Sequence, residues 1–463
     1  MLTYHRCLLS KPGQPLICVC QCKITLLCIQ LTKLLAKIGP ISYLHGNTKI
    51  AEMEKRVKVG IVRETKIPPD RRVPLTPAQI VELKEKYPFV EFYVQPSDIR
   101  CYTDDEYKYL KIPLREDLSN CDILMGVKEV DRRVFISGKT YLFFAHVAKK
   151  QEHNLEMLRQ ILRQKVRVID YEYLTTDKGQ RVVAFGRWAG IVGAYNALRA
   201  RGIKSNRFKL KPAYQCHDLN EMWAGLRLIQ LKPGLKILVT GEGRVANGAM
   251  ETLANCHNLM KVSPEDFLSK EYDVPVVCQV GPQHYVKHYD GRPFDFNNFI
   301  QHPEDYRSDF LKYTKVTDVL ITGHFWDPKS PVFFTRGDVE NPEFKISVIG
   351  DISCDIGGPI PTTLRATTIA EPFYGYNRHR HCEEEAFTKP DNISVMSIDN
   401  LPGELPRDAS GDFGKQLIDN VLHDLFNGHD SPMIQRATIT SGGKLEPQYR
   451  YLADWVNPDG ESL

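Results

Sequence analysis

Short apolar runs alternate with helix-forming segments along the first half of the chain. The runs at residues 57–63, 90–95, 121–127, 141–145 and 166–171 predict five strands. After the first run, Thr76-Pro77 is typical of a helix N-cap and first helical position, and residues 151–164 have a helical pattern. Because strands that alternate with helices indicate a parallel sheet, we expect an α/β fold.

A second group of apolar runs follows the polar linker at residues 204–217. We predict strands at 237–240, 316–322, 346–351 and 393–398, and helices at 190–201, 218–230 and 413–426. Residues 272–313 are rich in aromatic and polar side chains without a clear period, so we expect an insert there. The charged residues 378–385 predict a surface loop. These runs indicate a second sheet.

The run at 237–240 leads directly into a glycine turn with the spacing of a dinucleotide-binding site. Gly241 permits a tight turn, Gly243 lets backbone N–H groups approach a pyrophosphate, and Ala246 keeps the next helix close to the strand. The N-terminus of that helix then faces the phosphates. The alternative is an ordinary strand–turn–helix with small packing residues. The usual ribose-binding acid has no clean counterpart near Ser263, which leaves NAD and NADP both open.

Composition favours an ordinary globular protein of two to three domains, with 463 residues, 42% of them hydrophobic and 25% charged. The net charge of +4 lies in residues 1–52, where six lysines and arginines face one glutamate, so we expect no nucleic-acid partner.

The segment of residues 1–52 is too interrupted by polar residues to span a membrane, and we expect it to be an extension outside the fold; a transit peptide is the alternative. Cysteines elsewhere are scattered singly, as in a reducing cytoplasm, and we expect no metal site.

Ionisable side chains follow the predicted strands of the first half. They are Arg72, Lys128, His146 and the pair Glu172 and Arg181, at the edge where open α/β sheets bind ligands. A lysine in a partly desolvated cleft becomes a neutral base, a histidine exchanges protons near neutral pH, and arginines clamp carboxylates. Solvated loop charges and a surface ion pair are the alternative. Beside a nicotinamide, these groups suit an amino-acid oxidoreductase.

Several stretches carry a resemblance to a known family, and the segment from Ile169 to Gly190 is the most specific of them. The others are residues 63–77, Gly126-Val-Lys-Glu129, Phe144-Ala-His146 and residues 397–410. From residue 57 to residue 410 the sequence resembles the NAD-dependent, lysine-forming saccharopine dehydrogenases. These are a branch of the alanine dehydrogenase and transhydrogenase group.

The resemblance implies a role for individual residues. Lys128 matches the base that takes the amine proton, His146 matches the acid–base group for water addition, and Glu129 and Glu172 match residues that tune these two. The implied substrate-binding residues are Arg72, Gln151, Arg181, Phe185, Ser353, Cys354 and Asp355. The implied cofactor-binding residues are Gly241, Gly243, Arg244, Ser263, Ile352, Ile398, Asp399, Asn400 and Leu401. Two family cysteines that pair with each other fall on Val245 and Gly323, so that disulfide cannot form here.

The resemblance also implies a fold and a reaction. We expect two Rossmann-like domains with parallel sheets flanking a central cleft. The substrate domain comprises residues 53–188 plus 403–463 and the dinucleotide-binding domain residues 189–402. The implied activity is oxidative deamination of saccharopine to L-lysine and 2-oxoglutarate with NAD, in lysine biosynthesis, by a cytoplasmic monomer or small homo-oligomer with a small-molecule substrate and no membrane partner. An alanine dehydrogenase-like enzyme and a non-catalytic dinucleotide sensor are the alternatives.

Overall fold

The computed structural model describes residues 56–457, and two sheets organise this part of the chain. The strands are β1 (Val57–Ile61), β2 (Val90–Val94), β3 (Ile123–Met125), β4 (Thr140–Phe143), β5 (Arg167–Asp170), β6 (Lys236–Thr240), β7 (Met260–Lys261), β8 (Val276–Val280), β9 (Val286–His288), β10 (Tyr306–Ser308), β11 (Val319–Thr322), β12 (Val348–Asp351), β13 (Phe373–Asn377), β14 (Cys382–Glu384), β15 (Ile393–Met396), β16 (Thr438–Ser441) and β17 (Lys444–Leu445). The predictions for residues 1–52 lie outside the described residues.

Helices connect these strands. They are α1 (Pro77–Lys86), α2 (Asp104–Tyr109), α3 (Leu155–Arg163), α4 (Gly186–Ser205), α5 (Leu219–Leu228), α6 (Arg244–Leu253), α7 (Pro264–Ser269), α8 (Pro282–Tyr285), α9 (Phe296–Gln301), α10 (Leu311–Thr314), α11 (Arg336–Glu340), α12 (Pro406–Asn420), α13 (Leu422–Phe426), α14 (Pro432–Ala437) and α15 (Ala453–Val456). None of the helices within residues 56–457 is long and apolar enough to cross a bilayer.

The first sheet has the order β17-β16-β5-β4-β3-β1-β2. Strands β1 to β5 are parallel, as predicted from their alternation with helices, and β16 joins β5 in antiparallel orientation. The predicted cap of α1 is also confirmed, because the Gln79 backbone N–H donates to Thr76 Oγ1 at 3.3 Å. Because β3, β4 and β5 are parallel neighbours, the residues that follow them lie at one edge of the sheet.

The second sheet has the order β14-β13-β15-β12-β11-β6-β8-β7 and corrects two expectations. Residues 272–313 are not simply an insert, because they contain β8, which pairs directly with β6 in parallel. Its five residues are almost fully buried, and so short an apolar run carries no periodicity that distinguishes it from a loop. Residues 378–385 are not only a loop, because β14 pairs with β13 at the sheet edge, where charged side chains are common.

Helix α4 packs against α6 without side chains between the two backbones. A methyl group on Gly190 would lie 1.9 Å from the carbonyl oxygen of Val245, and one on Gly248 would lie 2.1 Å from that of Arg187. Only glycine permits such an approach. The contact fixes the N-terminus of α6 relative to the segment that follows β5.

The buried carboxyl group of Glu404 makes the stability of the fold depend on pH. Glu404 is 1% exposed and accepts a hydrogen bond of 2.6 Å from Asn196 Nδ2. Burial raises its pKa from 4.5 to about 7, against the opposing effect of that hydrogen bond. The native state therefore holds a proton that the unfolded chain releases. The resulting stabilisation is complete below about pH 4.5 and is lost as the pH rises through about 7.

We expect Glu404→Gln to flatten this pH dependence. Glutamine keeps an acceptor for Asn196 and has no proton to lose, so the variant gains about 2–3 kcal/mol relative to the native chain between pH 5 and pH 8. Urea unfolding at several pH values measures the difference. Glu82→Gln, on the exposed face of α1, is the matched control and should follow the native profile. Parallel pH profiles for the native chain and Glu404→Gln would contradict the prediction.

Candidate active site

Lys128 follows β3, and a buried carboxylate holds its backbone. The two oxygens of Glu64 accept hydrogen bonds from the backbone N–H groups of Val127, at 2.6 Å, and Lys128, at 2.9 Å. Burial raises the pKa of Glu64 to about 8, against the opposing effect of these two hydrogen bonds. The clamp fixes the backbone from which the lysine side chain projects.

The side chain of Lys128 has the properties of a base. Burial lowers its pKa, and the nearby Arg72 guanidinium lowers it further, while Asp70 acts in the opposite direction. Within residues 56–457, Lys128 makes no salt bridge. The neutral amine is therefore more accessible near neutral pH than on an exposed lysine.

His146 follows β4, and β4 is the strand next to β3. Its backbone is in the left-handed conformation, with φ 53°. Its Nδ1 lies 2.7 Å from Oε1 of Glu129, and the other oxygen of Glu129 accepts from Lys66 Nζ at 2.8 Å. Burial alone would raise the pKa of Glu129, but these two partners lower it to about 2. An ionised Glu129 thus orients the imidazole and leaves Nε2 for proton exchange.

Arg72 links the first sheet to the segment that follows β15. Its guanidinium forms a two-pronged ion pair with Asp70, at 3.0 and 2.6 Å, and donates to Oδ1 of Asn400 at 2.9 Å. It also lies over the Phe185 ring, 4.2 Å from the centroid. Burial alone would raise the pKa of Asp70, but Arg72 lowers it well below its usual range. The structure thus brings together the predicted residues Arg72, Phe185 and Asn400.

Glu172 follows β5 and forms ion pairs with two cationic side chains. Its Oε1 accepts from Lys149 Nζ at 2.7 Å and from the Arg181 guanidinium. Burial alone would raise the pKa of Glu172, but Lys149 and Arg181 lower it. Arg181 is half-exposed, and its carbonyl oxygen accepts from the Arg244 guanidinium, which connects this side of the site to the glycine turn. Gln151 is exposed at the start of a turn ahead of α3, where its Oε1 contacts Asn154 Nδ2 at 3.5 Å.

The glycine turn borders a large cavity. Gly241 has φ 99°, a methyl group on Gly243 would meet open space, and no side chain caps the N-terminus of α6. The adjoining cavity of about 680 Å³ is lined by Gly241–Val245, by Pro282 and Tyr285, and by Gly323–Phe325. His324, 9% exposed, has an Nε2 atom without a hydrogen-bond partner in the described chain. Free backbone donors at a helix N-terminus suit a pyrophosphate.

A buried carboxylate organises the residues that follow β12. Oδ1 of Asp351 accepts from the Ser353 hydroxyl at 2.6 Å and from the Cys354 N–H at 3.2 Å. Burial raises the pKa of Asp355, and the neighbouring Asp351 raises it further. Ile352 and Leu401 both pack against Gly193 of α4, Ile398 is buried, and Asp399 is exposed.

Ser263 lies apart from the glycine turn. It caps α7, with its Oγ accepting from the Asp266 N–H at 3.2 Å, and follows β7, which is separated from β6 by β8. Sequence reasoning also missed four residues that hold the site together: Glu64, Lys66, Asp70 and Lys149. The Arg-Glu-Thr-Lys stretch was a signal for the first two, whereas nothing local marks Lys149 as the partner of Glu172.

Known proteins share parts of this arrangement. The family described as "Alanine dehydrogenase/PNT, N-terminal domain" matches residues 60–192, which include β1 to β5 and the residues that follow them. Over these residues the chain is similar to the alanine dehydrogenase and transhydrogenase group. This confirms the resemblance inferred from the sequence.

Two curated relatives and one solved structure extend the similarity. "Alpha-aminoadipic semialdehyde synthase, mitochondrial" of Rattus norvegicus is 31% identical over 435 residues, which cover 83% of this chain and 46% of the relative. "Saccharopine dehydrogenase [NAD(+), L-lysine-forming]" of Neurospora crassa is 24% identical over 384 residues, which cover 80% and 91%. The chain thus spans less than half the length of the rat relative.

The solved structure, an L-alanine dehydrogenase, has a TM-score of 0.58 at 15% identity and covers 86% of this chain and all of that one. This likeness concerns the fold, and it confirms the prediction of an α/β protein with two Rossmann-like domains.

Proposed function

We propose that the chain is an NAD-dependent dehydrogenase that converts saccharopine to L-lysine and 2-oxoglutarate, reversibly. The observation that carries the proposal is the placement of Lys128 and His146 on the neighbouring strand ends of β3 and β4. They share Glu129 as a neighbour and stand on the side of the sheet where Arg72 contacts Asn400. The curated saccharopine dehydrogenases support the substrate, and the glycine turn supports the cofactor.

Each residue has a task in this reaction. Bound NAD supplies the nicotinamide ring that accepts hydride from the substrate carbon. Lys128 takes the proton from the secondary amine nitrogen, so that a C=N bond forms as the hydride leaves. His146 then moves protons while water adds to the imine carbon. The resulting carbinolamine breaks its C–N bond to release the lysine amine and the 2-oxoglutarate carbonyl.

The remaining predicted residues bind and orient. Arg72 and Arg181 are suited to substrate carboxylates, because each guanidinium has N–H donors beyond those already bound to Asp70, Asn400 and Glu172. Gln151, Phe185 and the residues from Ser353 to Asp355 complete the substrate site. Glu129 and Glu172 adjust the charge around His146 and Lys128. We also propose the predicted domain division, which the pairing of β16 with β5 supports; the oligomeric state and the cytoplasmic location stay predictions.

A substrate panel tests the proposal. We expect the purified protein to oxidise NADH, followed by nicotinamide absorbance, when lysine and 2-oxoglutarate are both present. Omitting either substrate should stop the reaction. Pyruvate with ammonia is the matched pair for an alanine dehydrogenase. NADH oxidation with pyruvate and ammonia, and none with lysine and 2-oxoglutarate, would overturn the proposed substrate. Binding of NADH without turnover of any pair would instead favour a dinucleotide sensor.

A further inference from the structure

The side chain that selects the dinucleotide belongs at the end of the strand beside β6. In open α/β sheets, the ribose of the adenosine half lies at the carboxyl end of the strand next to the glycine-turn strand. Strand β6 has two neighbours, β11 on one side and β8 on the other. The adenosine side is that of β8, because β7, the strand that follows α6, pairs with β8. Ser263 is therefore one strand too far from the turn.

Strand β8 carries no acid of its own at this point. It ends in Gln279 and Val280, and Gly281 and Pro282 follow. Gln279 Nε2 instead donates to the carbonyl oxygen of Gly241 at 3.1 Å, which ties the end of β8 to the glycine turn. The position where a carboxylate would bind ribose hydroxyls must be served by another element.

Glu242, between the two glycines of the turn, places its carboxylate at that position. Gln283 Nε2 donates to Oε1 of Glu242 at 3.0 Å. A methyl group on Gly281 would lie 2.4 Å from Oε2 of Glu242, so the carboxylate occupies the space that this glycine leaves at the end of β8. Gln283 orients the carboxylate, and Glu242 is one of the residues that line the cavity beside the turn.

Apolar side chains form the walls of the same cavity. Tyr285, Phe296, Phe299 and Ile300 come from the segment between β8 and β11, and Phe325 follows β11. Phe325 is 82% exposed and Phe296 is 59% exposed, which is unusual for aromatic rings that face only water. A purine ring is a planar apolar partner for such walls.

We propose that Glu242 binds the adenosine ribose hydroxyls of NAD and excludes the 2′-phosphate of NADP, with the adenine ring against the apolar walls. The proposal rests on the proposed dinucleotide function. A carboxylate accepts two hydroxyl hydrogen bonds and repels a phosphate dianion at the same place. Arg244 is the one cationic side chain among the residues that line this cavity in the described chain, and its guanidinium is engaged with the carbonyl of Arg181.

Equilibrium titration of the native chain with NADH and with NADPH, followed by nicotinamide fluorescence, tests the assignment without turnover. We expect NADH to bind at least about tenfold more tightly than NADPH, because the repulsion acts over a short distance. Glu242→Gln should bring the two affinities to within about threefold by removing that charge. Glu265→Gln, an exposed acid on α7 beside Ser263, removes the same charge and should leave the native ratio unchanged.

Three results would overturn the assignment. The first is tighter binding of NADPH than of NADH by the native chain. The second is a ratio of the two affinities in Glu242→Gln that equals the native ratio. The third is a ratio in Glu265→Gln that falls to near one. The two results with variants leave the proposed function standing with a different cofactor determinant, whereas tighter binding of NADPH also replaces NAD by NADP in that function. Binding of neither dinucleotide would overturn both proposals together. Circular dichroism of each variant verifies that the fold is retained.

Discussion

Replacing Lys128 by methionine and His146 by glutamine in one chain is expected to lower turnover by at least about 10³-fold, the scale of general acid–base catalysis. Methionine matches the length of the lysine stem but accepts no proton, and glutamine has no titratable nitrogen. Neither residue is among those that line the cavity beside the glycine turn. The affinity for NADH, measured by fluorescence titration, should therefore stay within about twofold of the native value.

The matched control is Lys178→Met with His153→Gln. Both residues are exposed, Lys178 on the turn after β5 and His153 ahead of α3. The control carries the same chemical changes and should retain full turnover. Full activity in the Lys128→Met, His146→Gln chain would defeat the assignment of the catalytic pair. Loss of activity in both chains would show that the changes act through the fold.

The second large effect concerns stability. Gly190→Val should lower the free energy of unfolding by at least about 3 kcal/mol, because the added side chain would clash with backbone atoms, which cannot move aside as a flexible side chain can. The added carbon would overlap the carbonyl oxygen of Val245, 1.9 Å away, and would approach the backbone nitrogen of Ala249 at 2.7 Å. Separating α4 from α6 also displaces the helix N-terminus that borders the glycine turn. Urea unfolding and NADH titration should both report the loss.

Gly411→Ala is the control for this change. Gly411 is also inside a helix, α12, but a methyl group there would meet nothing within 4 Å. Since alanine is the better helix former, we expect a gain of about 0.5–1 kcal/mol. Equal stabilities for Gly190→Val and Gly411→Ala would contradict the close contact between α4 and α6.

The residues after the strands could be predicted from sequence because parallel strands end at one edge. Lys128, His146 and Glu172 follow β3, β4 and β5, and each prediction needed only the apolar run and the next polar residue. The partner of each group was harder to predict. Glu64 is 63 positions from Val127 and Asn400 is 328 positions from Arg72, so no local spacing connects them. Such pairs follow from the order of strands in the sheet.

The position of the proposed ribose-binding residue also depends on the order of strands in the sheet, which local sequence does not reveal. By the resemblance, Ser263 is the residue at the position of the usual ribose-binding acid, and in the structure it follows β7, the strand after α6. The sheet order nevertheless inserts β8 between that strand and β6. Because a run of five buried residues has no diagnostic period, β8 was not predicted. The choice between Ser263 and Glu242 depends on this one strand.

Isotope transfer from NADH tests most directly whether the Lys128 and His146 site reduces a secondary-amine precursor. The native chain is incubated with lysine, 2-oxoglutarate and NADH that carries deuterium at the transferable position. Mass spectrometry then measures the deuterium content of the products. We predict saccharopine with one deuterium, formed by the native chain and not by the Lys128→Met, His146→Gln chain. Deuterated alanine from pyruvate and ammonia, with no deuterated saccharopine, would contradict the account.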